Sequence, residues 1–182
     1  MLIVEGYVIV SANGMLADHH HVMPDALKFP QDQSFFGAAL DRSDLIVHGR
    51  HSHEQQARSD ERVRLVLTGR IEALAPDTEH PNATLWNPQG ASFEEACHRA
   101  GVTSGNVAII GGPPVYELFL DRYDIFWLSQ AHNVTIEDGI GVFPQVPQLS
   151  PQQILTAHGL SKKETRVLEA AQNVDLAVWR RN

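Results

Sequence analysis

Apolar residues along this chain fall into short runs cut by turn residues, and in places they recur at helical spacing. Residues 2–10 are apolar and β-branched, broken by Glu5 and Gly6, which predicts a core strand. Ser11-Ala12-Asn13-Gly14 reads as a turn. Residues 15–28 show no clear period and contain Asp18-His19-His20-His21, so a mobile loop is expected there. Pro30-Gln31-Asp32 opens a helix carrying Phe35, Phe36, Ala39 and Leu40 at helical spacing. Residues 44–47 predict a short strand, followed by Gly49-Arg50-His51 and a brief helix. Residues 63–67 predict a strand that ends at Thr68-Gly69-Arg70, and residues 75–81 a polar loop. Residues 84–86 form a further short strand. Ser92 and Glu95 then make a capping box for a helix reaching to about Ala100. The continuous apolar run 107–110 is the pattern of a strand buried on both faces. Strands are also expected at 125–128, 154–157, 165–168 and 174–179, with a Gly- and Pro-rich loop at 138–151. The last two strands form a hairpin through Gln172-Asn173.

Strands alternating with helices argue for an α/β fold. Its central sheet is mostly parallel, with helices on both faces and an antiparallel C-terminal hairpin. The 182 residues read as a single domain, 1–182, with no internal repeat. A net charge of -8 argues against a nucleic-acid partner, which would require a basic face. Cys97 is the only cysteine, so no internal disulfide forms and a reducing compartment fits. No apolar run reaches membrane-spanning length and no leader pattern opens the chain, so a cytoplasmic protein without a membrane partner is expected. The three adjacent histidines read as a solvated loop rather than a metal site, because neighbours in an extended chain point to opposite sides.

The chemistry gathers at three turns, each just after an expected strand: Gly49-Arg50-His51, Thr68-Gly69-Arg70 and Gly111-Gly112. In an open α/β sheet the ligand edge lies beyond the carboxyl ends of the strands, so these turns share one edge. Gly111-Gly112 between a strand and a helix is either a tight turn or a phosphate cradle. In a cradle, glycine lets the backbone approach closely and the helix N–H groups attract an anion. Arg50, His51, Thr68 and Arg70 could hold a further phosphate through charge-assisted bonds, which would suit NADPH. The G-x-G-x-x-G fingerprint of an ordinary dinucleotide site is absent.

Taken in order, these segments resemble the dihydrofolate reductase superfamily, which includes the riboflavin-pathway reductase domain. Met23-Pro24, then Pro30-Gln31-Asp32-Gln33-Ser34-Phe35-Phe36, resembles its M-P followed by P-x-D-x-x-W/F-F. Val47-His48-Gly49-Arg50-His51-Ser52-His53-Glu54 is similar to M-G-R-x-S/T-W/F/Y-E. Residues 62–68 resemble R-x-x-I/V-V/I-L-S/T, and Ile109-Ile110-Gly111-Gly112 with Val115-Tyr116 resembles I-G-G-x-x-V/I-Y. Residues 8–17 resemble the first strand and the mobile loop that closes over the nicotinamide, and Leu128-Ser129 and Val142-Phe143-Pro144 resemble later landmarks.

The resemblance implies NADPH as cofactor and a pterin-like substrate, 7,8-dihydrofolate first, in folate and one-carbon metabolism. Asp32 would pair with the pterin's 2-amino group and N3; as a bare helix-start acid it would only serve the helix dipole. Phe36 would pack on the substrate ring or simply in the core. Arg62 would grip the glutamate tail of folate or stand as a solvated strand-start charge. Ser129 would support the carboxylate, and Ala12 would lie near the nicotinamide. Gly49, Arg50, His51, Thr68, Arg70, Gly111 and Gly112 would line the cofactor edge. Two features point to the riboflavin-type branch, with a ribitylaminopyrimidine substrate. Asp25 stands where folate enzymes usually carry Trp, and Asn13-Gly14-Met15-Leu16-Ala17 is closer to D/N-G-x-I/L-A. The zinc deaminase often fused to that reductase needs a P-C-x-x-C pair, which one cysteine cannot supply. A homodimer is compatible with either branch. From another class, an inert nucleotide-binding module could keep the fold without needing Asp32.

Overall fold

The computed structural model describes residues 1–52 and 58–182. His53, Glu54 and part of the expected brief helix lie outside the described residues. In chain order the elements are β1 (Leu2–Ser11), β2 (Met15–Ala17), α1 (Pro30–Asp41), β3 (Leu45–Gly49), β4 (Arg64–Leu67), β5 (Leu74–Pro76), β6 (Ala83–Trp86), α2 (Phe93–Arg99), β7 (Gly105–Ile109), α3 (Pro113–Leu118), β8 (Ile125–Ala131), β9 (Ile140–Gly141), α4 (Pro151–Ala157), β10 (Leu160–Glu169) and β11 (Val174–Arg181). Among the described residues one nine-stranded sheet runs β10-β11-β8-β1-β7-β3-β4-β6-β5, and β2 pairs β9 in a separate ribbon.

The pairings from β8 through β1, β7, β3 and β4 to β6 are parallel. Antiparallel strands close both edges: β5 on β6, and the β10–β11 hairpin on β8. The hairpin turns through Asn173 at φ 56, a left-handed conformation that Asn tolerates. Helices cover both faces, as expected. On one face Ala39 and Leu40 of α1 bury against Tyr7, Ile46 and Ala108. On the other, Phe93 and Cys97 of α2, Val115 and Tyr116 of α3, and Ile154 and Leu155 of α4 share the main core. Phe119 is completely buried there, with its ring edge-on to Phe93 at 5.0 Å. Removing such a ring costs about 3–5 kcal/mol.

Four expectations need correction. Residues 154–157 are not a strand but the end of α4. Ser150 and Gln153 form a capping box and Pro151 takes the first helical position, an N-terminal signal that outweighs a short apolar run. The polar stretch 75–81 begins inside β5, which is formed by pairing with β6 rather than by its own pattern. Residues 15–28 contain β2 and a single 3-10 turn at Asp25–Leu27, and residues 138–151 contain β9. The expected mobile loop is therefore tied at its start, with Met15 opposite Gly141 and Ala17 opposite Ile140.

Candidate active site

The site begins where two parallel strands part. β1 and β7 share register from Leu2 opposite Gly105 to Gly6 opposite Ile109. β7 then ends, while β1 continues beside β8 as far as Ser11 opposite Ala131. A gap opens in the sheet beyond Gly6, at the carboxyl ends of the strands. In a parallel strand each residue aims its N–H and C=O to one side, and successive residues alternate. Val4 serves the β8 side: its amide and carbonyl both bond Asp124. Met1 and Tyr7 serve the other side, accepting from Gly105 N–H and from the Tyr116 hydroxyl. Ile9 shares that parity, so its N–H and C=O face the gap, where no strand stands opposite among the described residues. Sequence reasoning did not single out Ile9, because the period of a strand reports its two faces and not which edge lacks a neighbour.

The floor of the gap is made of glycine. Gly49 N–H donates to the Gly111 carbonyl at 2.7 Å, and Ile110 N–H to the Val47 carbonyl at 3.0 Å. The ends of β3 and β7 are thus joined. Gly111 has φ 103, and the Gly111-Gly112 peptide is cis. A Cβ at Gly111 would lie 2.7 Å from the Tyr116 ring, so only glycine fits. A Cβ at Gly112 would approach Ser52 Oγ to 3.1 Å. The anion-binding groups differ from those expected. Pro113 and Pro114 bring no N–H to the six-residue α3, and the amides of Val115 and Tyr116 are both taken by the Gly112 carbonyl. At this turn the amides of Gly111 and Gly112 themselves have no hydrogen bond among the described residues.

Arg50, His51, Thr68 and Arg70 stand at the same edge, just beyond β3 and β4. Arg50 Nη2 donates to His51 Nε2 at 2.9 Å, and buried Thr68 accepts the Arg70 amide on its hydroxyl at 3.2 Å. Neither Arg50 nor Arg70 meets a carboxylate among the described residues.

Across the gap, Asp32 occupies the third position of α1, in the first turn where an acid suits the helix dipole. It is nevertheless only 8% exposed. Burial pushes its carboxyl above the usual range, opposed by the neighbouring Ser129 side chain on β8. The two residues paired at the sequence level therefore meet. Tyr116 ties this corner to the glycine floor. Its hydroxyl donates to the Tyr7 carbonyl at 2.6 Å and its ring packs on Gly111. Burial holds its phenol far above its ordinary pKa, and the Asp32 charge adds to the effect.

Phe36 is half-buried, with its ring 6.4 Å from Tyr7, beside Phe35 and Trp127. Arg62 lies elsewhere. Its Nη2 meets Asp41 Oδ1 at 2.6 Å, at the opposite end of α1 from Asp32, about 13 Å along the helix. Ala12 caps the end of β1, its amide bonded to the Val134 carbonyl at 2.7 Å. Asp25 points to solvent and pairs with Lys28 at 2.7 Å. Among the described residues no cluster of His, Cys, Asp and Glu could hold a metal ion, and no helix is long and apolar enough to cross a membrane.

No family model and no curated protein matches the sequence. Solved structures do match. A protein assigned to riboflavin biosynthesis from Shewanella sp. PV-4 superposes with a TM-score of 0.68 at 16% identity, over 99% of both chains. The diaminohydroxyphosphoribosylaminopyrimidine deaminase/5-amino-6-(5-phosphoribosylamino)uracil reductase of Thermotoga maritima gives 0.68 at 13% identity. There the alignment spans 99% of this chain but 56% of that one. Dihydrofolate reductase from Enterococcus faecalis, complexed with NADP(H) and RAB-propyl, gives 0.62 at 16% identity over 99% and 96% of the two chains. The sheet order, the helices on both faces and the antiparallel hairpin at the edge are thus those of the dihydrofolate reductase-like fold, and this chain has that fold.

Proposed function

We propose that the chain is an NADPH-dependent reductase of a pterin-like ring, with dihydrofolate as the first candidate substrate. The observation that carries this reading is a carboxylate, Asp32, kept buried against Ser129 and linked through Tyr116 to a glycine floor with two free amides. NADPH fits the residues present. Gly111 and Gly112 offer backbone donors and room for a pyrophosphate, while Arg50 and Arg70, which meet no carboxylate among the described residues, offer charges for an extra phosphate. When bound, the cofactor supplies a hydride. The chain's own residues do the rest. The N–H and C=O of Ile9 would receive a carboxamide, which carries the complementary pair of groups. Asp32 would accept two parallel N–H groups from the ring, orient it against the cofactor, and favour a proton on the nitrogen beside the carbon being reduced. Ser129 keeps that carboxylate aimed, and Phe36 offers an aromatic wall.

A second reading, a reductase of a ribosylaminopyrimidine that yields the ribitylaminopyrimidine, is favoured by one contact. Arg62 is already held by Asp41, so a glutamate tail would have to displace that carboxylate. Both substrates present an amino group beside a ring N–H, so Asp32 serves either. The test is to mix the protein with NADPH and a panel of pterins and ribosylaminopyrimidines, and to follow the loss of nicotinamide absorbance. Turnover of one class assigns the substrate; NADPH binding without turnover of any would leave an inert nucleotide-binding module.

A further inference from the structure

Gln130 follows Ser129 on β8, so it points to the opposite face of the sheet from Asp32. Its Nε2 lies 3.3 Å from both the Ser11 and the Ala12 carbonyls, at the end of β1. Its Oε1 accepts from Gln152 Nε2 of α4 at 2.9 Å. An amide side chain has one donor end and one acceptor end. Gln152 takes the acceptor end, which obliges the donor end to face the two carbonyls. α4 also touches the same turn directly, because a Cβ on Gly14 would lie 3.1 Å from the Pro151 ring. The capping box and the buried Ile154 and Leu155 fix α4 to the core. Behind this contact lies a polar cavity of about 110 Å³, lined among others by Gln130, Gln152, His132 and Asp175. The strand end is also held from the β8 side, by Ser11 opposite Ala131 and by the Ala12 amide on the Val134 carbonyl.

We propose that Gln130 is a positioning residue: oriented by Gln152, it holds Ser11 and Ala12 in place and so sets the end of the β1 edge that borders the cofactor gap. The structural half stands alone. The consequence for NADPH rests on the reductase reading.

The test compares Q130E with Q130K. Both keep a long polar side chain. The carboxylate only accepts and would face two carbonyls, whereas the ammonium donates to them. Amide exchange is read at Gly14 and Met15, whose N–H groups bond the Ser11 carbonyl and hydroxyl at 3.0 Å each. We expect exchange at least about tenfold faster in Q130E and close to the unmodified protein in Q130K, with the NADPH dissociation constant following the same order. Q152L, remote from Ser11, should speed the same amides to an intermediate degree. Equal exchange in Q130E and Q130K would overturn the proposal, as would unchanged exchange in both. Exchange needs no cofactor, so failure of the reductase reading appears separately, as absence of NADPH binding by the unmodified protein.

Discussion

Gly49 gives its amide to the carbonyl of Gly111 across 2.7 Å, so turns that follow two different strands act as one surface. A Cβ on Gly49 would come within 3.8 Å of the Gly111 oxygen and the Gly112 nitrogen. A side chain there would roof the two amides left for an anion.

The floor is therefore sensitive to one methyl group. In Gly111→Ala the new Cβ meets the Tyr116 ring at 2.7 Å on a backbone at φ 103. Overpacking costs about 1–3 kcal/mol and the left-handed conformation about 1 kcal/mol more. We expect a clear fall in thermal stability together with loss of NADPH binding. Gly69→Ala, where nothing lies within 4 Å of the added atom, should leave both nearly unchanged. Calorimetry and cofactor titration on the two variants check this.

Arg50 and Arg70 predict the cofactor preference. NADPH should bind more tightly than NADH, because only NADPH carries the extra phosphate. A hydrogen bond to a charged group contributes about 1.5–3 kcal/mol, so Arg50→Ala should reduce the preference by about tenfold or more. Equal dissociation constants for the two cofactors in the unmodified protein would sink the assignment.

The Arg62–Asp41 pair separates the two substrates. Asp41 is exposed, and such pairs contribute at most about 1 kcal/mol, so Asp41→Asn should barely change stability. If the substrate carries a glutamate tail, this variant removes one carboxylate that competes with the tail for Arg62, and KM for dihydrofolate falls. Arg62→Ala raises it, with little change in kcat because the tail is remote from the reacting carbon. A tailless pterin measured alongside should respond to neither change. Equal responses of the two substrates would make Arg62 structural.

Much of this architecture was legible in the chain because its central strands are buried on both faces and so read as apolar runs. The capping box at Ser92 and Glu95 likewise fixed the start of α2. What escaped depends on partners distant in sequence. β5 exists through β6, β2 through β9, and the 154–157 run looked extended until its cap was counted. At the site, the meeting of Asp32 and Ser129 was anticipated from the order of motifs. The gap at Ile9 was not, because no residue type marks a missing neighbour strand. The two prolines of α3 suit the first turn of a helix. Their missing N–H groups also move anion binding back onto the glycines, a consequence visible only once every amide near them is followed to its acceptor.

Asp32 carries the sharpest prediction, since two measurements should move in opposite directions. Burial raises its pKa in the folded chain, while in the unfolded chain it titrates near the ordinary value of about 3.9. Below both values the carboxyl is protonated in either state and contributes nothing to the pH dependence. Between them the folded state holds more protons than the unfolded state, so stability falls as pH rises through that window and remains lower above it. Asp32→Asn keeps the shape, leaves an amide oxygen for the Ser129 hydroxyl, and removes the buried charge. It should therefore be more stable than the unmodified protein at neutral pH, with the difference shrinking as pH falls through the raised pKa toward the ordinary carboxylate value. Activity should go the other way. The amide presents a donor where the ring presents a donor, and kcat/KM should fall about a hundredfold or more, as when a positioned acid–base group is lost. NADPH affinity should stay close to its original value, because the glycine floor and Arg50 are untouched. Melting curves from acid to neutral pH, turnover, and cofactor titration on both proteins make the comparison. A variant that gains stability and keeps its turnover would leave Asp32 as a buried helix-start acid and remove the carboxylate from the mechanism.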